Sequence, residues 1–258
     1  MGSASVLSGL LSGASWDEIT DYLSPAVLDI VSPRALSGEL MQLSSNFIRK
    51  RRWRGRREKL AAGIGPAFHG MVIADTLDVP TSSLAPLSDE EKIARGTLLL
   101  ELYFYQIEFQ QSALLDLRSS VFSGAQSLQA WAPAPLYTEW SPEFITGVRK
   151  LYHGFYLDQP DVYHEGLDAL SLGKAESIFR SHFGAGDQRS VGFNLAHFRN
   201  TFHETFLVCK HEGIRLSSEF VALGLMLACL YEHLQKLGVN YDVRQAYANA
   251  LGRGGRRF

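Results

Sequence analysis

The sequence predicts a mainly α-helical protein with few short strands, on three kinds of observation. Helix-start signals recur along the chain, apolar residues repeat at helical spacing, and only two short stretches have strand character. The 258 residues, 46% hydrophobic and 20% charged, suffice for a buried core and have the composition of a globular protein. We expect an N-terminal helical segment over residues 1–66 and a larger helical domain over residues 67–258.

The N-terminal segment contains several helix starts. Ser15 and Glu18 have the spacing of a capping box, in which each side chain accepts from a backbone N–H near the other residue. Ser24-Pro25 and Ser32-Pro33 each place a capping serine before a proline at the first helical position. Apolar residues at helical spacing follow, namely Leu36, Leu40, Leu43 and Phe47. These signals predict an N-terminal helical extension.

The larger domain is predicted to begin with a long helix over residues 88–111. Ser88 and Glu91 form a second capping box at its start. An apolar stripe that should face a core runs along this helix, through Ile93, Thr97, Leu100, Phe104 and Ile107. The spacing therefore predicts one buried face.

Later helix starts and ends are marked in the same way. Ser141-Pro142 and Asn194 each begin a helix, and Gly213 closes the second of these. Ser217 or Ser218 begins an apolar helix that ends at Gly238, and a last helix is predicted over residues 241–251. The only strand candidates are residues 71–73 and 127–131.

Charge is segregated along the chain, although the formal net charge is only −2. Residues 49–59 hold eight of the 25 basic residues, and Arg253, Arg256 and Arg257 add three. The rest of the chain has 14 basic residues against 26 acidic ones. This segregation indicates a local anionic partner rather than a surface that is basic throughout.

We call residues 49–59 the basic run. It supplies the predicted anionic-partner site, which comprises Arg49, Lys50, Arg51, Arg52, Trp53, Arg54, Arg56, Arg57 and Lys59. A solvated, charged helix end would have the same composition. As a binding site, it would contact phosphate, either in RNA or in an anionic lipid headgroup, because the planar guanidinium matches phosphate geometry. Trp53 would stack on a base or lie at a membrane interface. Nothing in the run separates RNA from lipid.

Other features favour an intracellular protein without a membrane span. Cys209 and Cys229 lie in apolar helical patterns and belong to no Cys-x-x-Cys pair, so we expect reduced, buried thiols. The longest apolar run, residues 220–230, is shorter than the roughly 20 residues of a membrane span. Residues 1–48 have neither a signal-peptide nor a transit-peptide pattern.

The histidines do not predict a metal site. His197, His203 and His211 lie near Glu204 and Glu212, but the chain contains no Glu-x-x-His sequence and no His-Glu-x-x-His sequence. Residues six apart lie on different faces of a helix, which separates His197 from His203. We therefore expect exposed or structurally satisfied histidines and no bound metal.

The order of features over residues 71–243 resembles a known family. A turn at residues 74–80 precedes the apolar helix of residues 98–109, and a segment containing Asp116 follows. Ser141-Pro142-Glu143-Phe144 begins the next helix, and residues 206–242 form a helix pair. This layout resembles the C-lobe of the UbiB-type (AarF-domain) atypical kinase-like family. The resemblance implies a helical, protein-kinase-like C-lobe.

The catalytic positions of that family are largely substituted here. Its His-Ala-Asp-Pro-His-Pro-Gly-Asn stretch falls on residues 114–121, with its aspartate on Asp116, its second histidine on Arg118 and its magnesium-binding asparagine on Val121. Its Asp-Phe-Gly falls on Pro133-Ala134-Pro135. The chain also lacks a glycine-rich phosphate loop and the lysine of a Val-Ala-Ile-Lys-like strand. Asp116 is a residual match only, and we expect no cofactor.

The resemblance therefore implies a non-catalytic, pseudokinase-like structural or interaction subunit of a larger assembly of protein subunits. Because the family works on isoprenoid-quinone pathways, the resemblance also suggests a mitochondrial setting. One alternative is a lipid- or isoprenoid-quinone-handling protein that uses the apolar helices over residues 206–230. The other is an active atypical kinase or ATPase, which would require an N-lobe that residues 1–62, with their helical pattern, do not encode.

Overall fold

Helices make up most of the described chain, which confirms the mainly α fold class. This computed structural model describes residues 50–69, 71–77, 87–124, 130–178 and 190–255, together with Gly38 and Leu43. The predicted helix starts at Ser15, Ser24 and Ser32 lie outside these residues. Leu43 is helical and buried in the core.

The described residues contain seven helices of ten or more residues: α1 (Lys50–Ile64), α2 (Asp89–Phe109), α3 (Pro142–Tyr156), α4 (Pro160–Ala169), α5 (Leu195–His211), α6 (Glu219–Leu237) and α7 (Val243–Arg253). They also contain five short strands: β1 (Val72–Ile73), β2 (Ser112–Leu114), β3 (Phe122–Ser123), β4 (Ala130–Trp131) and β5 (Tyr137–Glu139). Short 3₁₀ helices lie at Ser119–Val121 and Gly173–Ala175.

Helix α2 is the central helix of the fold. Its predicted capping box is confirmed: the Ser88 hydroxyl accepts from the Glu91 N–H at 3.3 Å, and the Glu91 carboxylate accepts from the Ser88 N–H at 2.8 Å. Every residue from Leu99 to Glu108 is buried, since α3, α6 and α7 pack around this part of the helix. The prediction of one buried stripe therefore underestimated the buried surface of α2 between Leu99 and Glu108. It was wrong at Ile93, which is exposed.

The strands form two small sheets. β1 pairs in parallel with β4, which pairs antiparallel with β3, and β2 pairs antiparallel with β5. β1 and β4 lie within the two strand candidates. The sequence analysis missed the other three strands, because segments of two or three residues are too short for an alternating pattern. Their pairing depends on contacts between residues from different parts of the chain.

Helices α3 and α4 form a close antiparallel pair, which two glycines permit. A Cβ atom at Gly154 would lie 2.2 Å from the Tyr163 nitrogen, and one at Gly166 would lie 2.5 Å from the Leu151 nitrogen. The helix backbones therefore contact each other where side chains would otherwise separate them. The predicted start of α3 is confirmed, with the Ser141 hydroxyl accepting from the Phe144 N–H.

Helix α6 is a buried core helix, as the apolar pattern predicted. It ends at Gly238, whose φ of 68° is the left-handed conformation that glycine adopts without strain. Among the described residues, α6 alone is long and apolar enough to cross a membrane, and 89% of its apolar window is buried in protein. Helix α7 is held against α2 by two buried glutamates: Glu101 accepts from Asn249 and Arg253, and Glu108 accepts from Tyr247.

Helix α1 packs against the rest of the described chain. Leu60 and Ile64 belong to the same buried cluster as α2, and the Tyr105 hydroxyl donates to the Gly63 carbonyl at 3.1 Å. Arg57 forms an ion pair with Asp75, just after β1. The predicted boundary between residues 66 and 67 remains a prediction.

Candidate functional site

The segment after β2 brings together three neighbouring parts of the chain. Asp116 and Val121 occupy the loop and the 3₁₀ helix between β2 and β3, and residues 133–135 follow β4. The Ala134 N–H donates to Asp116 Oδ2 at 2.9 Å, and the Ala132 N–H donates to the Val121 carbonyl at 2.8 Å. The Asp116 loop, the 3₁₀ helix and the segment after β4 are thus neighbours in this structure.

The Asp116 carboxylate is fully buried and its two oxygens are bound by internal donors. Arg118 holds it in a bidentate ion pair, with Nε 2.8 Å from Oδ1 and Nη2 2.9 Å from Oδ2. The Arg118 N–H adds a longer contact to Oδ1 at 3.4 Å, and the Ala134 N–H binds Oδ2. Four donors on two oxygens match the roughly four acceptor sites of a carboxylate. Asp116 is therefore engaged within the protein, where charge-assisted bonds hold the loop.

The backbone around Asp116 is fixed as well. The Trp131 indole donates to the Asp116 carbonyl at 2.8 Å. The Ser119 N–H and hydroxyl both bind Glu232 on α6, at 2.9 and 3.1 Å. These bonds attach the loop to β4 on one side and to the core helix on the other.

His233 joins the same loop to α2. Its Nδ1 lies 3.1 Å from the Leu117 carbonyl, and Arg95 Nε donates to its Nε2 at 3.3 Å. Because Nε2 accepts, the proton of the neutral ring is on Nδ1 and donates to Leu117. Burial lowers the pKa of His233 to about 3, and the positive charge of Arg95 acts in the same direction. The imidazole is therefore neutral at physiological pH.

The substituted positions offer few oxygen ligands. The Val121 side chain is apolar, and residues 133–135 contribute no carboxylate. Within the ranges that the structure describes, no group of three histidine, cysteine, aspartate or glutamate residues could hold a metal ion. His197, His203 and His211 are exposed on α5, in agreement with the expectation for these histidines.

The sequence analysis did not identify the Arg118, Glu232 and His233 contacts. The spacing of Asp116 and Arg118, two residues apart, permits their ion pair, but the local sequence does not show that both are buried. Glu232 and His233 lie more than 100 residues further along the chain, within a helix whose pattern is apolar. No local signal links them to the loop.

The basic run divides into internal and exposed cations. Arg57 pairs with Asp75, and Arg56 lies over the Tyr137 ring at 4.5 Å and 3.7 Å from the Glu139 carboxylate. The remaining described cations are exposed on α1, and these are Arg51, Arg52, Arg54 and Lys59. Arg49 lies outside the described residues, and Lys50 is described only as the first residue of α1.

Trp53 is partly buried and packs against the hydrophobic core. It thus anchors α1 to the body of the protein. At the C-terminus, Arg253 binds Glu101 and the Ala67 carbonyl, with its guanidinium 4.6 Å from the Phe68 ring centre. Arg256 and Arg257 lie outside the described residues.

The apolar helices that were considered for isoprenoid binding contribute mainly to the core. A cavity of about 30 Å³ lies between α2, α3 and α6, and Tyr103, Tyr152 and Tyr231 are among its lining residues. The Tyr103 and Tyr152 hydroxyls are 2.6 Å apart beside it. This volume accommodates about one water molecule, so an isoprenoid chain would have to displace aromatic side chains.

No protein-family model matches the chain, and no curated protein sequence matches it.

Proposed function

We propose that this protein is a non-catalytic, pseudokinase-like structural or interaction subunit of a larger assembly. The observation that carries the proposal is the buried Asp116–Arg118 pair. In the resemblance, the family's catalytic aspartate falls on Asp116. Helices surround the pair, and the resemblance puts valine and a Pro-Ala-Pro segment where the family has its oxygen ligands for magnesium.

The spatial arrangement supports the UbiB-like relationship. A kinase-like site requires the catalytic stretch and the Asp-Phe-Gly position to meet, so that their oxygens can hold magnesium against phosphates. In this chain the corresponding segments meet through the bond from Ala134 to Asp116. Helix α2, the Asp116 loop, residues 133–135 and helix α3 are the features, in chain order, on which the resemblance was based.

The chemistry of the pair explains why catalysis is not proposed. A catalytic-loop aspartate needs a free oxygen for a substrate hydroxyl, and a magnesium ligand needs a lone pair directed at the ion. Asp116 directs both oxygens at Arg118 and Ala134. Arg118 therefore supplies the positive charge that the buried carboxylate requires, within the protein itself.

Calorimetric titration with magnesium–ATP tests the loss of nucleotide binding. We expect no saturable heat at nucleotide concentrations up to the millimolar range and no change of the unfolding temperature. The same titration with EDTA present controls for weak, metal-dependent heats. Micromolar ATP binding would overturn the proposal and favour the active kinase or ATPase.

Isolation of the native protein tests its role as a subunit. We propose a mitochondrial setting, which rests on the family resemblance and is checked by subcellular fractionation. Native mass spectrometry of the isolated protein should show a complex of fixed stoichiometry with other protein chains. A monomer would contradict the subunit role, and a co-purified isoprenoid would favour the lipid- or quinone-handling alternative.

A further inference from the structure

Helix α1 carries four exposed cations, which we call the basic face: Arg51, Arg52, Arg54 and Lys59. Among the described residues, the side chains of these four have no hydrogen-bond or ion-pair partner. At 1.5 Å per residue, the face extends for about 12 Å along the helix. Glu58 is the only acidic residue in α1 and is also exposed. The face therefore retains a strong positive charge.

The rest of α1 fixes this face in place. Leu60 and Ile64 are buried, and Arg56 and Arg57 contact residues of the body. Because the helix is already anchored, its exposed cations are presented on a rigid support. A ligand that binds there does not have to order the helix first, which lowers the entropic cost of binding.

The packing of Trp53 distinguishes between possible anionic ligands. Single-stranded nucleic acid is bound by charge together with exposed aromatic rings on which bases stack. A helix that lies on a membrane inserts an apolar face between the lipids. The apolar face of α1 is occupied by the core, and Trp53 belongs to that packing. Charge alone is therefore available on the exposed side.

We propose that the basic face binds the phosphate backbone of a double-stranded nucleic acid, without reading its sequence. Three of the four cations are arginines, whose planar fork makes bidentate contacts with phosphate oxygens. A duplex presents a rigid, repeating array of phosphates to such a face. A membrane surface binds a basic helix weakly when the helix inserts no apolar anchor between the lipids. This inference is independent of the proposed pseudokinase character.

Fluorescence anisotropy with the full chain tests the proposal. The probes are a short RNA duplex, a DNA duplex of the same sequence, the corresponding single strands, and vesicles of phosphatidylcholine with phosphatidylserine. We expect one or both duplexes to bind more tightly than the single strands or the vesicles. Comparison of the two duplexes shows whether the basic face binds RNA or DNA more tightly.

Charge variants locate the binding site. The variant Arg51→Gln/Arg52→Gln/Arg54→Gln should lower duplex affinity by at least about tenfold at low salt and reduce the slope of log K against log salt by about 3. The control Lys174→Gln/Arg199→Gln/Arg215→Gln removes the same charge from exposed positions on other elements and should bind like the parent protein. Glu58→Gln should bind more tightly.

Tighter binding to vesicles, tighter binding to single strands, or no duplex binding by the parent protein would overturn the proposal. Equal losses in the two triple variants would also overturn it, since the attraction would then depend on net charge alone. Circular dichroism of each variant separates loss of binding from loss of the fold.

Discussion

The Asp116 loop and the basic face of α1 use charge in opposite ways. In the loop, a carboxylate and a guanidinium are buried together and bind each other. On α1, four cations are exposed and none has a partner among the described residues. Removing a charge from water has a large cost unless a partner compensates it, whereas an exposed charge has water as its partner. The buried charges therefore stabilise the fold, whereas the exposed charges of the basic face are accessible to a ligand.

Loss of Arg118 should have the largest effect on stability. Arg118→Met would leave the Asp116 carboxylate buried without its counter-charge, and we expect the free energy of unfolding to fall by about 3–5 kcal/mol. Urea unfolding at pH 7 measures this change. The double variant Asp116→Asn/Arg118→Met should recover much of the loss, because it removes both charges. A loss below about 1 kcal/mol in the single variant would contradict the structural role of the pair.

His233 should make stability depend on pH in the acidic range. Its pKa is about 3 in the folded protein and about 6.5 in an unfolded chain. Between these values the unfolded state binds a proton that the folded state does not, so stability rises with pH. The contribution is complete above pH 6.5 and decreases as the pH falls, by roughly 1 kcal/mol per pH unit near pH 5.

The variant His233→Gln tests this contribution, since its amide can both donate and accept hydrogen bonds. We expect a smaller difference in unfolding free energy between pH 7 and pH 5 than in the parent protein. The control is His197→Gln, which makes the same substitution at an exposed histidine. If the unfolding free energies of His233→Gln and the parent protein depend on pH in the same way, the inference that His233 is buried as a neutral imidazole is wrong.

Neutralising the basic face should have the smallest effect. Each of Arg51→Gln, Arg52→Gln and Arg54→Gln should change the free energy of unfolding by no more than about 0.5 kcal/mol, as surface substitutions usually do. Thermal unfolding in low salt measures these changes. A marked destabilisation would mean that these cations have structural partners. They would then resemble the buried, paired Arg118 rather than differ from it.

Local signals predicted the helices well. Ser88 with Glu91, Ser141 before Pro142, Asn194 and Gly238 each mark a helix end that the structure confirms. Such signals succeed because capping depends on residues within one helical turn. The short strands β2, β3 and β5 could not be predicted in this way, since each forms through pairing with a segment elsewhere in the chain.

The contacts of the candidate site could not be predicted in detail from the sequence. The resemblance selected Asp116 and residues 133–135, and the structure brings them into contact. The role of Arg118 depends on burial, which a single sequence does not reveal. The same is true of the basic run: Arg56 and Arg57 look like their neighbours in the sequence, yet they contact Tyr137 and Asp75 in the fold.

The glycine contacts between α3 and α4 have a mechanical consequence. Because the two backbones touch at Gly154 and Gly166, neither helix can slide or rotate without disturbing the other. A displacement of α4 would therefore require a displacement of α3, which also packs against the central helix α2.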